Sequence, residues 1–185
     1  ATILFTDIRG FTAYSKSKEP EEVVDRLNEY FEIATDTILR YGGYVDKFVG
    51  DAVLGVFGVP IYHEDHMERA VQAALDMKNG FCENGQDCTD SLLNSVGISI
   101  NTGVVVSGNI GSQVKMEYTV IGDTVNIASR LNALAGPGDI IISAAIYEVL
   151  KDMLEVEIRP PERIKGRNHP VPVYNITRIK EKSGP

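Results

Sequence analysis

Tyr44-Val-Asp-Lys-Phe-Val-Gly-Asp-Ala-Val-Leu-Gly-Val-Phe-Gly58 places a lysine and an aspartate four residues apart in a stretch otherwise built for burial. Val45, Phe48, Val49, Val53, Leu54, Val56 and Phe57 predict two strands. Val49-Gly50-Asp51 reads as the tight turn between them, with Gly50 free to take a positive φ. Lys47 and Asp51 are thereby held beside a turn on a rigid hairpin. A second aspartate, Asp7, ends another apolar run that starts at Ile3. Two strand-borne carboxylates and a lysine suggest a site for a metal-bound polyphosphate. Apolar surroundings make two bare carboxylates repel, and a divalent cation removes that penalty.

Outward from this hairpin, the 185 residues are 43% hydrophobic and 24% charged, which fits one globular domain with a substantial core. The net charge of −8 argues against a nucleic-acid binder, which would more often show a basic face. A nucleotide remains compatible, because a few lysines and a cation suffice locally. No apolar run approaches the ~18 residues of a membrane span, so no direct membrane contact is expected. No signal peptide is visible, and the chain opens at Ala1 directly on a strand. The expectation is a cytoplasmic domain, residues 1–185, cut from a longer protein that carries regulatory domains. Cys82 and Cys88 are too few for a disulfide scaffold and read as reduced thiols, with a regulatory disulfide as the alternative.

The order of elements is α/β. Thr2 to Asp7 predicts a strand. Pro20 opens a helix with Glu21 and Glu22 at its positive dipole end. Val23, Leu27, Tyr30, Phe31, Ala34 and Ile38 recur at helical spacing, and Gly42-Gly43 ends the run. A second helix is expected from about Glu64 to Cys82, followed by the polar connector Asn84 to Ser91. Val96–Ile100, Val104–Ser107 and Tyr118–Ile121 predict strands. Gly122-Asp-Thr124 is expected to cap a helix from about Val125 to Ala135. Asp139–Ser143 predicts a strand, Ala144–Met153 a helix, and Leu154–Ile179 strands around the loop Gly166-Arg-Asn-His-Pro170. Helices are expected to cover one face of a mixed sheet.

Asn126 and Arg130 lie four apart on the predicted helix and share a face beside its buried stripe. A fixed arginine there can stabilise charge on a transferring phosphoryl group. Lys165 in the tail loop, and more weakly Lys115 in Ser112-Gln-Val-Lys-Met116, are candidates to meet a terminal phosphate. His63-Glu-Asp-His66 reads as a helix start with acidic residues in its first turn rather than as a zinc site.

Phe5-Thr-Asp-Ile-Arg-Gly-Phe11, Lys47-Phe-Val-Gly-Asp51 and Val120-Ile-Gly-Asp-Thr-Val-Asn-Ile-Ala-Ser-Arg130 together resemble the class III nucleotidyl cyclase catalytic domain. The likeness spans nearly the whole chain, in order, and is strongest to bacterial adenylyl cyclases and the mammalian soluble adenylyl cyclase. It implies a ferredoxin-like α/β core working as a head-to-tail homodimer with sites at the interface. It implies that Asp7, Asp51 and the Ile8 carbonyl hold two Mg²⁺, with Mn²⁺ as the alternative. Lys47 and Thr119 would read the purine, Asn126 would orient the ribose, and Arg130 would stabilise the transition state. Lys165 would hold the triphosphate, and Phe11 and Lys115 would complete the substrate contacts. The reaction implied is in-line attack of the ribose 3′-hydroxyl of ATP on the α-phosphorus, giving 3′,5′-cyclic AMP and pyrophosphate.

Lys47 can donate to adenine N1, and the Thr119 hydroxyl can accept from the 6-amino group. A guanylyl cyclase would be expected to carry an acid in place of Lys47. Thr119 departs from the commoner aspartate; threonine can donate as well as accept, so it is expected to discriminate less sharply. Within the family the threonine variant marks a subclass often associated with bicarbonate stimulation. The alternative reading is a catalytically silent nucleotide-binding regulatory domain of the same fold, against which Asp7, Asp51, Asn126 and Arg130 all speak. A diguanylate cyclase would need a Gly-Gly-Asp/Glu-Glu-Phe signature, absent here.

Overall fold

The protein is described by a computed structural model covering residues 1–83, 92–165 and 167–180. The connector Asn84–Ser91, with Cys88, lies outside the described residues, as does Gly166 of the tail loop. The chain runs β1 (Thr2–Ile8), α1 (Phe11–Ser17), α2 (Pro20–Arg40), β2 (Tyr44–Val49) and β3 (Ala52–Phe57). It continues through α3 (His66–Glu83), β4 (Val96–Thr102), β5 (Val106–Gly111), β6 (Met116–Ile121) and α4 (Asp123–Asn132). It closes with β7 (Ile140–Ser143), α5 (Ala144–Leu150), β8 (Leu154–Glu162) and β9 (Val171–Ile179).

Seven strands form one mixed sheet in the order β2-β3-β1-β4-β7-β9-β8. β1 lies inside it, antiparallel to both β3 and β4, while β4 and β7 run parallel. The sequence β1-α2-β2-β3-α3-β4 laid out as β2-β3-β1-β4 is the expected ferredoxin-like core. β5 and β6 pair only with each other and form a separate arm.

Alternation along β1 builds both faces. Leu4 packs with Tyr30, Ala34 and Ile38 of α2 and with Ala70, Ala74 and Met77 of α3. Ile3 points the other way, onto Val120 of β6 and Ala128 of α4. Each such fully buried aliphatic contributes about 1.5–3 kcal/mol relative to exposure. The expectation of helices on one face is therefore corrected: α4 covers the opposite side. The reason is visible in Ile140, Ile141 and Ile142, all fully buried. Three consecutive apolar strand residues point alternately to two faces, so both need cover.

Two other expectations shift. Val104 stands outside any strand and is exposed, because β4 continues through Thr102 and β5 begins at Val106. No side chain caps α4; its first turn bonds to the Gly122 carbonyl, and the Thr124 hydroxyl donates instead to the Val104 carbonyl at 2.7 Å. His66 shares a 2.7 Å hydrogen bond with Thr2 at its Nδ1 and lies against the Tyr62 ring, so it serves to join α3 to β1.

Candidate active site

The β2–β3 turn closes with Val49 opposite Ala52, leaving Gly50 and Asp51 as its two residues. Gly50 has φ 63°, the left-handed conformation that this tight turn requires. The turn directs Asp51 back to the end of β1, where Asp51 Oδ2 accepts the Ile8 N–H at 3.2 Å. Asp7 is the neighbouring residue of β1. Burial raises its pKa, the Arg9 guanidinium pulls against that rise, and the Asp51 charge adds to it. The two aspartates are thus within electrostatic reach of each other, as the sequence predicts.

Arg9 forms an ion pair with Asp7 and donates to Asn132 Oδ1 at the end of α4. Apart from that ion pair, Asp7 Oδ1 is buried without a hydrogen-bond partner among the described residues. A half-buried carboxylate held by a single ion pair, beside a second carboxylate, fits a divalent cation. Among the described residues no cluster of three or more His, Cys, Asp or Glu side chains could hold a metal alone. The donor set fits a cation that completes its shell with ligands from outside the chain, the habit of Mg²⁺.

A second cluster forms where β2 meets β6. The β2–β3 register slips between Val45 and Lys47, so Asp46 is the extra residue of a β-bulge. Val45 and Phe48 both face α2: Val45 joins the core there, and Phe48 stacks on Phe31 at 4.3 Å. In a regular strand, residues three apart point to opposite faces. The bulge absorbs the mismatch and turns Asp46 and Lys47 together toward β6. Asp46 Oδ2 accepts the Thr119 hydroxyl at 2.9 Å and lies 3.4 Å from Lys47 Nζ. The Asp46 side chain is wholly buried, and Thr119 is 8% exposed. Tyr44 stands nearby, its ring at 6.0 Å from that of Tyr118. Its pKa is raised by burial and then by the Asp46 charge, although neither its hydroxyl nor Asp46 Oδ1 meets hydrogen-bond geometry with any described residue.

The third group rides on α4, which polar residues pin to the sheet. Ser99 Oγ donates to the Ala128 carbonyl at 2.7 Å, and Asn101 Nδ2 to the Thr124 carbonyl at 2.8 Å. Asn132 Nδ2 donates to the Phe5 and Gly97 carbonyls, each at 3.1 Å. Buried polar groups satisfied in this way set the helix in one position. Asn126 is exposed on α4, and Arg130, one turn on, donates to the Lys165 carbonyl. Arg130 and Lys165 are therefore brought together, as the sequence reading requires. Lys115 sits at the exposed end of the β5–β6 arm, paired with Glu117 at 3.0 Å. Phe11 begins α1 and packs against the main core.

Sequence reasoning missed Asp46, Arg9 and Asn132. Arg9 stands inside a quoted motif, Asp46 beside Lys47 and Asn132 two residues past Arg130, but none is marked by spacing. Asp46 in particular should alternate away from Lys47 in a regular strand, and only the bulge brings the two side chains together.

Known proteins resemble this chain along nearly its whole length. The family model described as "Adenylate and Guanylate cyclase catalytic domain" matches residues 1–178. Adenylate cyclase 1 of Rhizobium meliloti (strain 1021) is 30% identical over 187 residues, covering 96% of this chain and 27% of that protein. The adenylate cyclase of Anabaena cylindrica is 33% identical over 183 residues, covering 95% and 36%. The chain thus spans about a third of these relatives' lengths. The crystal structure of the adenylyl cyclase CyaB from P. aeruginosa superposes with TM-score 0.89 at 35% identity, covering 99% of this chain and 96% of that one. The crystal structure of the guanylyl cyclase Cya2 superposes with TM-score 0.90 at 38% identity, covering 98% and 93%. With paired aspartates at the β1 end, the ferredoxin-like core and a family match along nearly its whole length, this chain belongs to the adenylate and guanylate cyclase catalytic-domain family.

Proposed function

We propose that this chain is an adenylyl cyclase, converting ATP to 3′,5′-cyclic AMP and pyrophosphate at centres shared between two copies of itself. The observation that carries the reading is the meeting of Asp7 and Asp51 across β1 and the β2–β3 turn, joined through the Ile8 N–H. Asp7, Asp51 and the Ile8 carbonyl would hold two Mg²⁺, or Mn²⁺ in their place, which when bound activate the ribose 3′-hydroxyl and neutralise the leaving pyrophosphate.

The chain's own residues do the rest. Lys47 donates to adenine N1 while Thr119 accepts from the 6-amino group. Asn126 orients the ribose. Arg130, steadied by the Lys165 carbonyl, places its charge on the reacting phosphoryl group. Lys165 meets the terminal phosphates; Phe11 and Lys115 border the substrate. In the dimer, the aspartates of one copy face Lys47, Thr119, Asn126 and Arg130 of the other. Each chain carries both sets, so a homodimer has two complete centres. Thr119 also supports placement in the bicarbonate-stimulated subclass.

The test is product analysis after incubation with ATP or GTP, with Mg²⁺ or Mn²⁺, with and without bicarbonate, over a range of protein concentrations. Cyclic AMP formed from ATP in preference to cyclic GMP from GTP, at a specific activity that rises with protein concentration, is the expected result. Cyclic GMP as the main product would overturn the choice of base. No cyclic product with either metal would overturn the enzyme.

A further inference from the structure

We infer that Asp46 fixes the hydrogen-bond polarity of Thr119, and through it the choice of a 6-amino over a 6-oxo purine. The inference rests on the base-reading roles proposed above for Lys47 and Thr119 and assigns a positioning residue behind them.

A threonine hydroxyl has one hydrogen and two lone pairs. Left free, it serves an amino group or a carbonyl equally, by rotation about its C–O bond. Here it is not free. Asp46 Oδ2 lies 2.9 Å from the hydroxyl oxygen, and the Lys47 ammonium lies 3.4 Å from the same carboxylate oxygen. A carboxylate paired with an ammonium only accepts hydrogen bonds. The Thr119 hydrogen must therefore point at Asp46, which leaves only lone pairs for a base.

Burial makes that orientation hard to reverse. The Asp46 side chain is fully enclosed, and its Oδ1 finds no hydrogen bond among the described residues. Turning the Thr119 hydrogen toward a ligand would strip a buried carboxylate of a neutral donor. The bulge in β2 secures the geometry, because it places Asp46 and Lys47 on one side.

A base held by these groups meets an acceptor at Thr119 and a donor at Lys47. The 6-amino group and bare N1 of adenine match both. The 6-oxygen of guanine would face lone pairs, and its N1–H would face the ammonium. Threonine at this position thus discriminates as a dedicated acceptor, despite its ambivalent side chain.

The experiment compares the full chain with Asp46→Asn, Thr119→Val and the double variant, each checked for cooperative thermal unfolding. The readouts are the ATP-to-GTP ratio of kcat/KM and the same ratio of affinities by calorimetry. Asparagine can present an N–H to the Thr119 oxygen and release its hydrogen toward the base. Asp46→Asn is expected to lower the ratio roughly tenfold, chiefly through KM, the size of one hydrogen bond made wrong. Thr119→Val is expected to lower it similarly, and the double variant no further than Thr119→Val. A ratio for Asp46→Asn within about twofold of the parent overturns the inference, as does a further loss in the double variant. If Asp46→Asn does not fold, Thr119→Ser, which keeps the hydroxyl, is expected to hold the parental ratio while Thr119→Val loses it. Equal losses in those two overturn the inference. A parent chain that forms no cyclic nucleotide removes the cyclase reading alone, and the calorimetric ratios then decide the role of Asp46 by the same criteria. A parent chain that prefers neither nucleotide in either assay overturns both.

Discussion

Arg130 lies half-buried on α4 with one guanidinium nitrogen bonded to the Lys165 carbonyl. That bond leaves further donors of the planar group for a substrate. The proposed role is stabilisation of charge that grows in the transition state, so Arg130→Ala should spare binding and lower turnover. A fall in kcat of roughly 10²–10³-fold with little change in ATP affinity is expected, measured by steady-state assay and calorimetry. Turnover comparable to the parent would remove Arg130 from the mechanism. Asp7, Asp51, Lys47 and Arg130 were legible in the sequence because their charges stand in or beside apolar runs. Asp46 was not legible as a partner of Lys47, because strand parity puts neighbours on opposite faces and one bulge brings these two together.

The β2–β3 hairpin is the element on which the two clusters depend. Its turn sends Asp51 to the end of β1, and its bulge sends Asp46 and Lys47 to β6. Gly50 has open space where a Cβ would stand, so its requirement is purely the positive φ. Gly50→Ala should therefore destabilise the chain by about 1–2 kcal/mol, the left-handed penalty, in chemical denaturation. It should also raise KM for the metal ion, because the turn aims Asp51. Unchanged stability would mean that the turn relaxes to another conformation. The strands and helices were readable from periodicity, while the start of α3, both ends of α4 and the end of α5 were not. Glu64, for instance, precedes the first turn of a helix that starts at His66. Tertiary bonds that draw a side chain away from capping, such as Thr124 to Val104, leave no local mark.

At the scale of the molecule, Asp139 joins three segments. Its Oδ2 accepts the Gly136 N–H at 2.6 Å, and its Oδ1 accepts from Arg159 at 3.0 Å and Asn175 at 2.9 Å. Burial, the largest influence, would raise its pKa, but Arg159, the Gly136 amide and Asn175 together hold it below the ordinary value. A depressed folded pKa gives stability that is present above the unfolded carboxylate pKa of about 3.9 and lost as pH falls through the folded value. Asp139→Ala should cost about 1–3 kcal/mol near neutral pH, and the difference from the parent should shrink in acid, below about pH 4. Urea titrations at both pH values check this; a difference that does not shrink would show that the contribution is packing rather than charge. Assembly is tested by complementation. Asp51→Ala and Arg130→Ala chains, each strongly impaired alone, should regain activity on mixing, because one centre of a mixed dimer is intact. No recovery in confirmed mixed dimers would count against shared centres.

The order of strands and helices, the apolar alternation along the strands, and the charged residues of the three motifs follow from sequence alone. They are properties of local spacing, and neighbours along the chain carry them. The cover on both sheet faces, the separate β5–β6 arm and the Asp46–Thr119 bond were decided only in three dimensions. Asp46 and Thr119 are 73 residues apart. Their meeting depends on a one-residue slip in β2, whose effect on side-chain direction no local pattern records.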